Sequence, residues 1–348
     1  MSHLGVMEIF FGDPWPAEAR LNYASYLKSE GYGFYLYAPK ADRNLRKDWS
    51  KPWEESYIRE LTEMARNFQN KGIKYGVALS PFEIDKMTDT QIDQLLDEKI
   101  GVFNRIGLDY LGIFFDDMMV YDGLARQQIA LLNKVRARTS AKILFCPTFY
   151  SYDPILDKVF GQRPPDYLEQ IANGVAADVE ILWTGPKVLS DEITPSHIDE
   201  VTLLLKRPPF LCDNVFANDG PKNCKFLKLK YPAGRSAESF KKANGWAINP
   251  MNQSEVSKIV LSAMQAAAQG AAPEIAFQTS VRKICSDRLS QLVLQNRELF
   301  LKEGLDKISD AAKNGLLADL DQLNEPVARE IKSWLLGKYT VGTECLTD

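Results

Sequence analysis

Histidine is almost absent from this chain of 348 residues, with His3 and His197 the only two. A Ser-His-Asp or Cys-His relay would have to be built on one of them, and His197 opens a polar, helically patterned stretch, so that chemistry is not expected. Cysteine is sparse and unpaired. Cys146, Cys212, Cys224, Cys285 and Cys345 are odd in number and scattered, which argues against a disulfide framework or a zinc site and for reduced thiols in a cytoplasm. A positive excess is missing too. With 42 Lys and Arg against 46 Asp and Glu, the net charge of −4 offers no basic field for nucleic acid. No apolar run approaches the ~20 residues of a membrane span, and the first residues carry no cationic start followed by a long apolar stretch. The expectation is a soluble, unsecreted, cytoplasmic protein, without a nucleic-acid or membrane partner and without a metal or other cofactor.

Against these absences stands an ordinary globular composition, 45% hydrophobic and 25% charged, and a regular alternation. Short apolar runs at Gly5–Phe11, Gly33–Tyr37, Tyr75–Leu79, Tyr110–Phe115, Lys142–Cys146, Val179–Trp183, Pro209–Cys212 and Gly245–Ile248 read as strands. Between and after them lie helical patterns such as Glu18–Ser29, Glu54–Asn70, Asp89–Ile106, Ala125–Thr139, Pro165–Asn173, Pro195–Leu205 and Gln253–Gln269. Eight strands each followed by a helix close most simply into a (β/α)8 TIM barrel. The competing open sheet should carry a glycine-rich phosphate turn after its first strand, and Gly12-Asp13-Pro14-Trp15 is not one. Beyond Gly270 the pattern becomes continuous amphipathic helix, from Ile275 to about Glu303 and from Pro326 to about Leu336, with Gly304 and Gly315 as breaks. The chain thus divides into a barrel over residues 1–270 and a helical region over 271–348, whose helices offer a surface for a homodimer. The longest irregular stretch, Val215–Arg235, follows the seventh strand and is expected to be functional or mobile.

The most informative segment is Ile113-Phe-Phe-Asp-Asp-Met118, two adjacent carboxylates at the end of a buried strand. Neighbouring anions in a partly dry pocket repel, so one pKa rises and the pair divides into a proton donor and a standing negative charge. A helix N-cap or a metal-ligand pair would use the same residues. Polar residues recur at the other strand ends: Glu8, Lys40, Tyr150, Asp213 with Asn214, Asp219 and Asn249. In a barrel they converge. Aromatic residues cluster beside them, among them Phe10, Phe11, Trp15, Tyr37, Phe149 and Tyr152. Apolar rings for the C–H faces and Asp and Asn forks for the hydroxyls form the kind of pocket that holds a sugar.

The series Gly5-Val-Met-Glu-Ile-Phe-Phe-Gly-Asp-Pro-Trp15, Tyr37-Ala-Pro-Lys40, Phe115-Asp-Asp117, Cys146-Pro-Thr-Phe-Tyr150, Trp183-Thr-Gly-Pro-Lys-Val188, Asp213-Asn-Val-Phe-Ala-Asn-Asp219 and Asn249-Pro-Met251 resembles glycoside hydrolase family 84, the β-N-acetylglucosaminidases. The match runs in order across roughly the first 270 residues. The resemblance implies a retaining hydrolase of terminal β-linked N-acetylglucosamine on glycoproteins or small glycosides. Its nucleophile is the substrate's own 2-acetamido carbonyl, which gives an oxazoline. By motif position Asp116 would orient the acetamido N–H, Asp117 would be the acid and base, and Tyr150 with Asn214 would hold the acetamido oxygen. Asp219, Lys40 and Asn249 would bind the sugar's hydroxyls, and Cys146, Thr184 and Val188 would line the N-acyl pocket. Ile9 stands where the family carries Gly, and Cys212 where it carries Trp, so the wall of the sugar site differs. Ala41 replaces an acidic residue and Phe149 a Glu. A related hydrolase or transglycosylase with altered 2-acylamido preference, and a weakly catalytic sugar-binding module, are the alternatives.

Overall fold

In the computed structural model, which describes residues 4–347, the apolar runs pair in parallel and in sequence order. His3 lies outside the described residues. The strands are β1 (Leu4–Glu8), β2 (Phe34–Tyr37), β3 (Lys74–Leu79), β4 (Tyr110–Phe114), β5 (Lys142–Cys146), β6 (Glu180–Trp183), β7 (Phe210–Asp213) and β8 (Gly245–Ile248). β1 pairs with β8 in the register Leu4↔Trp246, which closes the (β/α)8 barrel and leaves no strand edge.

Side chains alternate along each strand, so every second residue faces the barrel axis. At the lower end the axis is filled by Phe34, Tyr110 and Phe210, with ring centroids 5.4 Å and 5.6 Å from Phe34. Gly5 and Gly245 make that filling possible, since a Cβ on them would stand 2.3 Å and 2.2 Å from the rings of Phe34 and Phe210. The carboxylate of Glu180 is satisfied there by Lys142 and Asn244. The outward residues pack under the helices, and Asp213 is paired on that side with Arg235, both fully buried, and with Trp246 Nε1 at 3.1 Å. With its lower half plugged, the barrel opens only at the carboxyl ends of its strands.

The helices begin where their caps place them. Thr88 and Gln91 form a reciprocal capping box at the start of Asp89–Ile106, and Thr194 caps Pro195–Leu205, with Pro195 in the first turn. The C-terminal region departs from the sequence expectation in two places. The expected continuous helix from Ile275 is broken: Pro273–Ile284 ends at an extended Cys285, and Ser286 starts Asp287–Gln295 by accepting the Leu289 N–H. Gly315 is not a break but lies inside the helix Asp310–Asp321. An exposed helical glycine costs only about 1 kcal/mol. Gly304 is a break, because its φ is 63° and a Cβ at this position would stand 2.6 Å from the Lys225 carbonyl oxygen, and both require glycine.

These helices are fastened to the barrel's upper rim. Glu330, in the helix Pro326–Leu335, accepts hydrogen bonds from the Ser254 hydroxyl and from the backbone N–H groups of Glu255 and Val256, at the start of the helix Ser254–Ala268 that follows β8. Trp334 is fully buried and donates to the Cys224 carbonyl at 3.1 Å, inside the long loop after β7.

Candidate active site

The twelve residues given roles in the sugar site line one cavity at the carboxyl end of the barrel. Glu8 and Asp213, also expected to converge there, do not: they fall on the outward positions of β1 and β7, where Glu8 accepts from Arg20 and from the Trp15 N–H at 3.1 Å, and Asp213 pairs with Arg235. The inward alternation explains most of the placement. Counting in twos from interior positions brings Ile9 after β1, Asp116 after β4, Cys146 on β5, Thr184 after β6, Cys212 and Asn214 on and after β7, and Asn249 after β8 to the top layer. Lys40, Asp117, Tyr150, Val188 and Asp219 enter from the loops that follow those strands.

The carboxylates of Asp116 and Asp117 share one cation. Lys40 Nζ donates to Asp116 Oδ2 and stands 3.3 Å from Asp117 Oδ2. Asp116 Oδ1 is buried without a hydrogen-bond partner. A buried carboxylate oxygen left bare costs free energy until a donor arrives, so this atom is poised to accept from a ligand. Asp117 sits at φ 61°, in the left-handed region, which turns its side chain back into the cavity beside Asp116. Burial pushes the Asp117 carboxyl up; Lys40 opposes that, Asp116 adds to it and Arg46, with Nη2 at 3.9 Å, opposes it more weakly. Lys40 is itself held in the charged form: burial would lower its pKa, but Asp116 and Asp117 outweigh that and raise it. One carboxyl therefore leans toward the proton-bearing form while the other is held by a cation, the division of roles that acid–base chemistry needs.

The rest of the wall is a set of pinned amides and small apolar groups. Burial and the two Asp carboxylates keep the Tyr150 phenol far above its ordinary range, so it is present only as an O–H donor. Asn214 donates to the Val188 carbonyl at 2.9 Å and accepts from Asn249 Nδ2 at 3.0 Å, while Asn249 Oδ1 is buried without a partner. Thr184 gives its hydroxyl to the Lys187 carbonyl at 3.0 Å and Val188 N–H donates to Asp153 at 3.1 Å, which fixes the loop after β6. Cys212 Sγ lies 3.7 Å from Met7 Sδ, so an adaptable thioether backs the wall at this thiol. Burial pushes Cys212 up to about 12 and Cys146 well above its ordinary range, so neither supplies a thiolate. Asp219 accepts from the Phe11 N–H at 2.8 Å, and burial still raises it to about 6.

Of the aromatic residues expected beside the site, Phe11 lines the cavity, whereas Phe10, Trp15, Tyr37, Phe149 and Tyr152 do not. Several neighbours were not foreseen as site residues. The unforeseen neighbour of Phe11 is Arg46, whose guanidinium lies 5.7 Å from its ring centre. Leu182 could have been found by the same inward count that finds Thr184. Arg46 carries no comparable signal, since it arrives from a loop after β2 that folds back over the barrel. Cys345 and Thr347 also line the cavity from the far end of the chain, where nothing in the local pattern points to it. Among the described residues no group of three or more His, Cys, Asp or Glu is arranged to hold a metal ion.

A closed parallel barrel with a paired acid site and a ring of amides at its carboxyl end is the framework of a glycoside hydrolase. The chain belongs to the β-N-acetylglucosaminidase family, whose model matches residues 4–300. It is 29% identical over 268 residues to the protein O-GlcNAcases of Rattus norvegicus and of Mus musculus. That match covers 74% of this chain and 29% of each relative, so the chain spans under a third of the length of those curated proteins. Among solved structures it is similar to a mutant of the Thermobaculum terrenum O-GlcNAc hydrolase, with a TM-score of 0.79 and 26% identity over 96% of this chain and 80% of that one. No helix among the described residues is long and apolar enough to cross a membrane.

Proposed function

We propose that the chain is a retaining β-N-acetylglucosaminidase that uses the substrate's acetamido group as nucleophile and acts on terminal β-linked N-acetylglucosamine of glycoproteins or small glycosides. The observation that carries this reading is the bare, buried Asp116 Oδ1 beside a carboxyl whose pKa is raised. An acetamido N–H is a donor that this oxygen lacks, and accepting it would turn the acetamido oxygen toward the anomeric carbon. Asp116 would then offset the positive charge that grows on the acetamido group as the oxazoline forms. Tyr150, a donor at every working pH, would hold the acetamido oxygen, assisted by the remaining N–H of Asn214. Asp117 would protonate the departing oxygen, and its carboxylate would then deprotonate the water that opens the oxazoline. The proton thus returns to Asp117, and the anomeric configuration is inverted twice.

Binding roles follow from the same geometry. Asp219, Lys40 and Asn249 would take the ring hydroxyls, with Asn249 Oδ1 free to accept one. Cys146, Cys212, Thr184 and Val188 would close around the N-acyl methyl, and Ile9 would cover the ring's edge. The relatives named for O-linked N-acetylglucosamine support the same substrate class. The test is hydrolysis of an aryl 2-acetamido-2-deoxy-β-glucoside beside the aryl β-glucoside that lacks the acetamido group. The first should be cleaved and the second should not. Comparable rates for the two would sink the proposal, because the second has no internal nucleophile.

A further inference from the structure

The mouth of the cavity is covered by the chain itself. After the helix Pro326–Leu335 the chain turns at Gly337, packs Tyr339 against the core and runs back across the barrel's upper rim. Val341 Cγ2 lies 3.2 Å from the place a Cβ would take on Gly12, in the loop after β1. Cys345 and Thr347 then line the same cavity as Asp117 and Asp219, with Cys345 Sγ 3.9 Å from Thr347 Oγ1. The surroundings of the Cys345 thiol are those of the site: burial, then the Asp219 and Asp117 carboxylates, push it up to about 12. The space left behind this segment is about 70 Å³. That is room for a few waters, whereas pockets for small molecules typically run from ~300 Å³ upward. A pyranose carrying an acetamido arm therefore needs the segment to move.

We infer that residues 341–347 form an intramolecular strap that sits in the mouth of the sugar pocket, competes with substrate, and is displaced when the sugar binds. The inference rests on the proposal that the cavity is a sugar site. The strap is built to be displaced cheaply: Glu344 is exposed, Leu346 is 52% exposed, and nothing crowds Gly342. Little apolar surface is lost on lifting it, and segments that open ahead of the rest of a fold share that property. A pocket open for only part of the time binds with an affinity reduced by that fraction, so releasing the strap should tighten sugar binding without any new contact.

The test compares the native chain with Val341→Asp, which sets a charge against the rim and keeps Cys345. N-acetylglucosamine is the probe. Its dissociation constant is measured by calorimetry, and alkylation of Cys345 by iodoacetamide is followed by mass spectrometry. The variant should bind the sugar several-fold tighter and be alkylated faster, and saturating sugar should speed alkylation of the native chain toward the variant's rate. Equal affinities, with Cys345 alkylation indifferent to sugar, would overturn the strap while leaving the sugar site standing. Failure of both proteins to bind the sugar would instead remove the sugar site, and the strap's role as its competitor with it. If Val341→Asp does not fold, Cys345→Glu places a carboxylate beside Asp219 and Asp117 and expels the strap by repulsion. Tighter sugar binding by that variant supports the strap, an unchanged affinity overturns it, and loss of binding in both proteins removes the site.

Discussion

Asp117 occupies the left-handed backbone region at φ 61°, a conformation that costs a non-glycine residue on the order of 1 kcal/mol or more. The cost goes with a position from which one carboxyl meets Lys40, Arg46 and Asp116 together. If Asp117 is the acid, Asp117→Asn should lower turnover of a poor leaving group by roughly 10²–10⁴-fold and that of an activated aryl leaving group far less. The pH profile gives a second check. Burial raises the Asp117 carboxyl and the acid acts protonated, so kcat/KM should fall as pH rises through that pKa. Arg46→Met removes a cation that lowers it, and the descending limb should move to higher pH. Losses independent of leaving group, or a limb that does not move, would show that the proton comes from elsewhere. The Asp pair was legible because it ends an apolar run, and the interior positions because strands alternate in twos. Arg46 and Cys345 were not, since loop trajectory and chain return, not local pattern, carry Arg46 to Asp117 and Cys345 to the cavity.

The helix Pro326–Leu335 holds its place through a carboxylate that caps another helix. Glu330 accepts from the Ser254 hydroxyl and from two N–H groups at the start of Ser254–Ala268, yet burial raises it to about 7, above the 4.5 of a free Glu. A carboxyl whose folded pKa lies above its unfolded value favours the fold most when protonated. Its contribution is present below about pH 4.5 and lost as pH rises through about 7. Glu330→Gln should therefore flatten the decline in unfolding free energy between about pH 5 and 8. Glu330→Ala should cost about 1–3 kcal/mol across that range by orphaning two backbone N–H groups. Urea unfolding at both ends of the range checks this; native and Gln chains declining in parallel would assign the pH dependence to another group. Helix starts with Thr, Ser or Pro signals were readable from sequence, as at Asp89 and Pro195. The break at Cys285 was not, because the apolar periodicity continues across it and only the Ser286 cap, tied at its own N–H to Glu325, interrupts the helix.

As a whole the molecule joins a barrel plugged at one end to a helical region that reaches back over the other. The helices that follow residue 270 are tied to the barrel's loops. Trp334 and Phe300 pack together beyond it, and both hydrogen-bond to the long loop after β7, at Cys224 and Leu227. That loop, irregular in sequence, supplies Asp219 to the cavity. The barrel was legible from eight spaced apolar runs, whereas the return of the last helices to the rim depends on contacts between distant segments that no local pattern records. What unites barrel, acid pair and bare carboxylate oxygen is the claim that the substrate supplies its own nucleophile. The most direct measurement is kcat/KM for aryl β-glucosides carrying N-acetyl, N-difluoroacetyl and N-trifluoroacetyl groups in turn. Fluorine withdraws electrons from the amide oxygen and weakens it as a nucleophile, so kcat/KM should fall steeply along the series. A rate indifferent to fluorination would place the nucleophile on the protein and contradict it.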